Sequence, residues 1–122
     1  MINYISELMG VVRGVTGKVL VTTTYPDTNI VPIVILYESD QETIFKCDYY
    51  EHASSTVIIE IYAKDITTRN SLRTNIDDKM QEMHYELVKK EDIDNDPIYV
   101  SKLTYECEII QKGDSVHIYN KK

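Results

Sequence analysis

The sequence lacks tryptophan, has a single phenylalanine, and contains only two cysteines, three prolines and four glycines among its 122 residues. No apolar stretch approaches the ~20 residues that a membrane-spanning helix needs, so the sequence predicts no membrane partner. The first ten residues lack a basic n-region and include Glu7, which argues against a secretory signal peptide. Cys47 and Cys107 lie far apart in strand-like segments. Two such cysteines without a secretion signal predict reduced, half-buried thiols.

Basic residues are also scarce. The sequence has 13 Lys and Arg residues and 20 Asp and Glu residues, which gives a formal net charge of −7. Proteins that bind the phosphate backbone depend on clustered cations. The basic runs here are short pairs, Lys89–Lys90 and Lys121–Lys122, and the first leads directly into Glu91. The charge balance therefore argues against a nucleic-acid-binding protein.

Metal-binding spacings are missing as well. The three histidines, at positions 52, 84 and 117, show no His-x-x-x-His pattern, and the cysteines form no Cys-x-x-Cys pair. Asp48, Glu51 and His52 could gather around a cation in a polar loop, but a solvated loop is the simpler interpretation. A calcium loop starting at Asp92 would need Gly and Glu at its sixth and twelfth positions. Those positions hold Pro97 and Leu103. The sequence predicts no metal.

Catalytic and nucleotide-binding motifs are equally absent. A phosphate loop ending at Gly17-Lys18 would need Gly and Ser or Thr where Val12 and Val19 stand. There is no Gly-x-Ser-x-Gly elbow and no recognisable Cys–His nucleophile pair. We therefore predict no cofactor and no catalytic residue, and expect that the protein is not an enzyme. A triad assembled only in space stays a remote alternative.

The clearest structural signal is Thr56–Met83, where the spacing of apolar residues changes from every second position to the spacing of a helix. Alternating apolar residues predict a strand over Thr56–Ala63. Asp65 follows it and is a good helix N-cap. Four apolar residues then recur at helical spacing and predict one buried stripe of an amphipathic helix: Leu72, Ile76, Met80 and Met83. His84 ends this helix at a position where a Gly often caps, and His tolerates the left-handed conformation better than most residues.

The remaining elements follow from the same periodicities. We predict a short N-terminal helix over residues 2–12, a projecting hairpin or long loop over Glu38–Ser55, and a polar turn over Lys89–Pro97. The other strands are predicted over Lys18–Tyr25, Ile30–Tyr37, Tyr85–Val88, Ile98–Ile110 and Ser115–Tyr119. Together they predict an α+β fold class, with a mostly antiparallel twisted sheet and one long amphipathic helix and a short N-terminal helix packed on one face. A single domain is expected over residues 1–122.

Ten tyrosines are the remaining signal. Tyr is enriched at protein interfaces, although aromatic residues also simply suit strands. Arg69 and Arg73 on the predicted helix have no evident internal partner except Asp77, four residues after Arg73. They could reach a neighbouring subunit or be solvated. The predicted partner interface comprises Tyr25, Tyr49, Tyr50, Arg69, Arg73, Tyr99 and Tyr105.

The order of these segments resembles the tail terminator proteins of long-tailed bacteriophages and related phage-tail-like particles. The resemblance covers nearly the whole chain. After an N-terminal helix, it rests on Tyr25-Pro26, Ile30–Ile35 (IVPIVI), Thr56–Ala63 (TVIIEIYA), Ile76–Met80 (IDDKM) and Ile98–Ile110. One departure is His84-Tyr85 after the long helix, where such proteins often have Gly-Phe.

The resemblance implies a structural virion protein in the neck region of the tail, assembled in the cytoplasm of a bacterial host. It would form a homo-hexameric ring that caps the head-proximal end of the tail tube, ends tube polymerisation and joins tail to neck. Its implied partners are its own copies, the tail tube protein and a neck or head-completion protein. DNA would only pass through the lumen. Six copies at −7 each carry a formal charge of −42, which suits a ring that lets DNA pass without binding it.

Two alternatives remain open. The chain could be another head–tail joining or neck protein of the same particle. More remotely, it could be a small enzyme or ligand-binding domain.

Overall fold

The computed structural model describes residues 1–24, 30–95 and 97–119. Within them the chain forms two helices and six strands. In chain order these are α1 (Ile5–Thr16), β1 (Leu20–Thr22), β2 (Ile33–Cys47), β3 (Tyr50–Ala63), α2 (Ile66–Glu82), β4 (Glu86–Asn95), β5 (Ile98–Lys112) and β6 (Ser115–Tyr119).

The six strands form one mixed sheet. Five of them lie in the order β1-β2-β3-β5-β4. β4 and β6 both pair with β5, β4 along Ile98–Glu106 and β6 along Glu108–Lys112, so they lie end to end on the same side of it. β1 is parallel to β2, and the other neighbours are antiparallel.

The predicted fold class is wrong. In place of a long helix on a mostly antiparallel twisted sheet, the structure has a mixed sheet and two helices of 12 and 17 residues, with 54% strand and 26% helix. The strands dominate because β2, β3 and β5 have 15, 14 and 15 residues, which at ~3.3 Å per residue gives about 50 Å. α2, at ~1.5 Å per residue, is only about 25 Å long. Neither helix is long relative to this sheet.

The core lies between the two helices and one face of the sheet. Leu72, Ile76 and Met80 are buried, which confirms the predicted stripe of α2, and Met83 packs partly buried at its end. β3 alternates as predicted, with its odd-numbered residues buried on the helix side. The sheet residues of this core include Val57, Ile59, Ile61, Leu103, Tyr105 and Ile109, and α1 contributes Leu8 and Val12.

Both ends of α2 follow the sequence. The Asp65 carboxylate accepts hydrogen bonds from the Thr68 backbone N–H (2.7 Å) and hydroxyl (3.0 Å), and these bonds hold the pKa of Asp65 below its usual value. His84 takes the left-handed conformation after the helix, with φ of +67°. The predicted N-cap and the predicted left-handed His84 are therefore confirmed.

Two other boundaries were predicted wrongly. α1 continues to Thr16 through Gly10 and Gly14, and the left-handed turn comes at Gly17, with φ of +68°. Of the segment Lys89–Pro97, predicted as a polar turn, Lys89–Asn95 forms the last seven of the ten residues of β4. An edge strand needs a partner on one side only, and its outer residues can stay polar, so its sequence shows no apolar alternation.

Candidate interaction surfaces

Two hairpins end side by side and form what we call the sheet tip, residues 43–50 and 112–115. The hairpin predicted within Glu38–Ser55 is confirmed: β2 and β3 stay paired through Cys47 and Tyr50, and Asp48 and Tyr49 make the turn. The backbone N–H of Gly113 donates to the Tyr49 carbonyl oxygen at 3.2 Å. This bond joins the β5–β6 turn to the β2–β3 turn.

The sheet tip exposes three large apolar side chains. Ile44 is 54% exposed, Phe45 55% and Tyr49 78%. The Tyr50 ring is half-buried against Phe45, with ring centroids 5.8 Å apart. The charged residues of the tip balance one another, with two lysines and two aspartates: Lys46, Lys112, Asp48 and Asp114. A neutral, apolar projection on a chain of net charge −7 is a candidate contact surface.

The β4 edge offers a second exposed surface with different properties. Val88 is 45% exposed and Ile93 47%. Ile93 stands between Asp92 and Asp94, and a bulge lies between Leu87 and Lys89. Charges and bulges on an edge strand hinder the addition of another strand. β4 is therefore less suited than the tip to join a partner.

Arg69 was predicted for the interface, but the structure buries it at 3% exposure. Its guanidinium pairs with Asp94, lies 3.8 Å from the Asp92 carboxylate, and donates to the Val100 carbonyl oxygen at 3.3 Å. The Asn70 side chain accepts two further bonds. Arg69 finds its partners inside the chain and ties α2 to β4.

Arg73 was also predicted for the interface, with Asp77 as its helical neighbour. Its guanidinium instead donates to Asp92, and the Ser101 hydroxyl donates to the same carboxylate at 2.7 Å. Burial pushes the pKa of Asp92 upward, but these two bonds and the charges of Arg73 and Arg69 outweigh it, so the pKa lies below its usual value. Arg73 thus extends the tie between α2 and β4.

The predicted interface tyrosines separate into different environments. Tyr49 and Tyr50 lie in the sheet tip. Tyr105 is fully buried, and its hydroxyl donates to the Asp77 carboxylate at 2.6 Å. Tyr99 is half-buried on β5 opposite Asp94. Tyr25 lies outside the described residues.

We expect Tyr105→Phe to lower the free energy of unfolding by about 1–3 kcal/mol, because it removes a buried hydrogen bond to a carboxylate. Tyr85→Phe is the matched control, since Tyr85 is also buried and its ring contacts Tyr105 edge-on. The Tyr85 hydroxyl has no hydrogen-bond partner, so its removal should be neutral or stabilising. Urea unfolding of both variants measures the difference. Equal losses would contradict the assignment.

The Tyr85 ring also lines a groove between α1 and β6, which we call the α1–β6 groove. Its volume is about 150 Å³. The lining is mostly apolar and consists of Tyr4, Glu7, Leu8, Val11, Met83, Tyr85, Val116 and Ile118. Tyr85 is 2% exposed, and its hydroxyl is left without a partner. The Cys107 thiol nearby helps to raise the pKa of Tyr85, after the larger effect of burial, but a thiol is a weak partner. No sequence motif pointed to this groove.

The N-terminal segment is anchored on the sheet beside the groove. The Tyr4 hydroxyl bonds with Ser55, whose hydroxyl in turn donates to Glu38. The Gln41 side chain accepts from the Ile2 backbone N–H at 2.7 Å and donates to the Ile2 carbonyl oxygen at 2.9 Å. These contacts fix the start of α1 and therefore one wall of the groove.

The remaining candidate residues do not converge. Glu51 and His52 are successive strand residues, so they lie on opposite faces of β3. His52 contacts Glu108 at 3.1 Å. Both cysteines are free thiols, and burial raises the pKa of Cys107 to about 12. Among residues 1–24, 30–95 and 97–119, no group of three or more His, Cys, Asp or Glu side chains is placed to hold a metal ion.

The same described ranges contain no helix long and apolar enough to cross a membrane. A scan of protein-family models found no match to this chain, and no curated protein matches its sequence significantly.

Proposed function

We propose that this protein is the terminator of a bacteriophage tail, a structural protein whose copies form a hexameric ring on the head-proximal end of the tail tube. The ring stops tube polymerisation and presents a surface to a neck or head-completion protein. The protein acts by contact rather than by chemistry.

The sheet tip is the observation that carries this proposal. The odd-numbered residues of β3 are buried as far as Glu51, and beyond them the β2–β3 hairpin projects from the covered part of the sheet with its turn at Asp48 and Tyr49. At the end of this projection stand Ile44, Phe45 and Tyr49, each more than half exposed. Large apolar side chains exposed at one end of a sheet are candidates for protein contacts.

The segments that carry the resemblance also lie together. Thr56–Ala63 belongs to β3 and Ile98–Ile110 to β5, and these two strands pair antiparallel along their whole length. Their rigid pairing supports the hairpins at the tip. Six copies at −7 each would give a ring of −42, which disfavours retention of DNA in the lumen.

Light scattering after size exclusion tests the ring. We expect an assembly of six times 14.2 kDa, about 85 kDa, either free in solution or formed on purified tail tubes. Added during tube growth in vitro, the protein should stop elongation, and micrographs of tails made without it should show overlong tubes. A ring with a basic lumen, or a monomer that ignores purified tubes, would refute the proposal.

A paired substitution links this activity to the sheet tip. Phe45→Ser should reduce capping, whereas Ile93→Ser, which removes a similarly exposed apolar side chain from β4, should not. Measuring tube length also distinguishes a terminator from the alternative function, a head–tail joining protein of another kind. A head–tail joining protein of another kind would bind tail ends without changing tube length.

A further inference from the structure

We propose that two copies of this protein pair through β6, antiparallel and around a two-fold axis at His117, so that their two sheets join into one. A two-fold contact brings identical surfaces together, whereas a ring with one face on a tube is built from head-to-tail contacts. This pairing therefore goes beyond the proposed function and does not depend on it.

Among the strands that the structure describes, β6 is the edge strand without protection against pairing. Its five residues, SVHIY, include no Asp, Glu, Lys, Arg or Pro, and they pair with β5 without a shift of register. Val, Ile and Tyr are among the residues that favour strands most. A regular edge strand without charges is a template for another strand.

The other edges of the described sheet are each obstructed. β4 has a bulge and is mostly charged beyond it. β1 has only three residues. β2 extends past β1, but two register shifts interrupt it, and the Gln41 side chain there already holds the Ile2 backbone. Bulges, charges and short length are the devices by which edge strands avoid pairing, and β6 has none of the first two.

The turn between β5 and β6 determines which backbone groups of β6 a partner can reach. It has two residues, so Lys112 and Ser115, which flank it, form a hydrogen-bonded pair. Bonded and non-bonded pairs alternate along antiparallel strands, so the N–H and C=O groups of Val116 and Ile118 point away from β5. Among the described residues, none bonds to these groups. Two donors and two acceptors are therefore available at this edge.

Pairing with a second copy uses all four groups in a single register. When His117 stands opposite His117 of the second copy, Val116 of each copy stands opposite Ile118 of the other. Both of these pairs exchange two hydrogen bonds. A shift of the strands by two residues would align Val116 or Ile118 with itself and keep only one such pair among the described residues. The backbone thus selects the register with its axis at His117.

The side chains fit the same register. Val116 and Ile118 are half-buried, pack against the core and line the α1–β6 groove. Opposite residues of antiparallel strands project from the same face, so Val116 of one copy packs beside Ile118 of the other and the apolar layer continues across the joint. His117 and Ser115 are exposed on the opposite face. Because β6 has no acidic or basic residue, a chain of net charge −7 can pair here without placing like charges opposite each other.

Opposite charges at position 117 test the two-fold axis. His117→Lys and His117→Asp should each weaken self-association of the full chain by about ten-fold or more, because like charges then stand opposite each other. Mixed in equal amounts, the two variants should pair again. Light scattering over a concentration series measures the conversion of the 14.2 kDa monomer into a dimer of about 28 kDa. Ile93→Lys adds the same charge to the exposed side of β4 and should leave association within about two-fold of wild type.

A disulfide gives an independent readout of the register. In a Cys47→Ser background, His117→Cys should form a linked dimer under oxidation, because opposite residues of a non-bonded pair have Cα atoms about 4.5 Å apart, within the range of a disulfide. Ser115→Cys is the matched control, since Ser115 is also exposed on the same face. In the paired strands it lies about 13 Å from Ser115 of the second copy, so it should not form the link.

Three results would each overturn the pairing. They are a wild type that stays monomeric at every concentration, association of His117→Lys equal to that of the wild type, and crosslinking of Ser115→Cys as complete as that of His117→Cys. Circular dichroism confirms that the variants fold, and the exposure of His117 and Ser115 makes a loss of the fold an unexpected result.

The outcomes also separate the β6 pair from the proposed function. A protein that stops tube growth but associates independently of His117 refutes the pair and retains the terminator. A protein that pairs through His117 but does not change tube length retains the pair and refutes the terminator.

Discussion

Replacing Arg69 by Ala should lower the free energy of unfolding by about 2–4 kcal/mol, because removal of one member of a buried ion pair leaves its partners uncompensated. Arg69 is 3% exposed and binds Asp94, Asp92 and the Val100 carbonyl oxygen. The estimate lies below that of a fully buried pair because the Asp94 side chain is 52% exposed and water can reach it. Urea unfolding followed by circular dichroism measures the loss.

Arg73→Ala is the matched control. Arg73 lies one helical turn away and also pairs with Asp92, but its side chain is 18% exposed and that of Asp92 29%. Such a partly solvated pair is worth about 1 kcal/mol or less. Equal losses in Arg69→Ala and Arg73→Ala would contradict the special role of the buried guanidinium.

The ion pairs of Asp92 with Arg69 and Arg73 predict that the free energy of unfolding depends on pH. The folded-state pKa of Asp92 is below its usual value, so its stabilising contribution is complete above the unfolded pKa of about 3.9 and is lost as the pH falls through the folded pKa. The wild type should lose more stability than Arg69→Ala over this acidic interval, because the variant has already lost one of the charges that lower the pKa. Unfolding curves at pH 6 and below, compared between the two proteins, measure this.

Ile76→Ala should cost about 2–5 kcal/mol, since the lost methyl groups leave a cavity in a close-packed core. Ile76 has no exposed surface and stands between Leu72 and Met80 in the stripe that faces the sheet. The cost depends on how far the surrounding side chains can relax. A large loss would show that α2 is held mainly by this stripe.

Asn75→Ala is the control for the helix itself. Asn75 precedes Ile76, is exposed, and has a lower helix propensity than Ala. Its replacement should therefore be neutral or slightly stabilising under the same urea titration. An Ile76→Ala loss as small as that of Asn75→Ala would contradict the placement of the stripe in the core.

Elements with a strong periodicity could be predicted from sequence. The strand over Thr56–Ala63 and the stripe Leu72–Met80 follow directly from spacings of two and of three to four residues. Asp65 and His84 were identified at the helix ends because their side chains suit those backbone positions. These are local properties that a single segment carries by itself.

The fold class could not be predicted in the same way. β4 is polar because it lies at a sheet edge. Its strand conformation depends on hydrogen bonds to β5, and the sequence of β4 alone does not show that pairing. The parallel pairing of β1 with β2 involves three residues on each strand, too few to leave a pattern. The prediction consequently gave the long helix too much weight and the sheet too little.

The predicted interface residues likewise include some that the structure exposes and some that it buries. The sequence predicted Tyr49 and Tyr50 for a partner interface and a hairpin around them, since polar segments and tyrosines are visible in a sequence. The structure forms that hairpin, with Tyr49 exposed and Tyr50 half-buried. The sequence also placed Arg69 and Tyr105 at an interface, where the structure buries both. Their partners, Asp94 and Asp77, are 25 and 28 residues away and meet them only when α2 packs on the sheet.

The sequence by itself determined the apolar stripes, the helix ends, the acidic balance and the absence of a recognisable catalytic motif. Each depends on the identity and spacing of neighbouring residues. The tertiary structure decided the mixed sheet, the buried Arg69 network and the α1–β6 groove. The groove exists because α1, the end of α2 and β6 meet around Tyr85, and no spacing along the chain encodes that meeting.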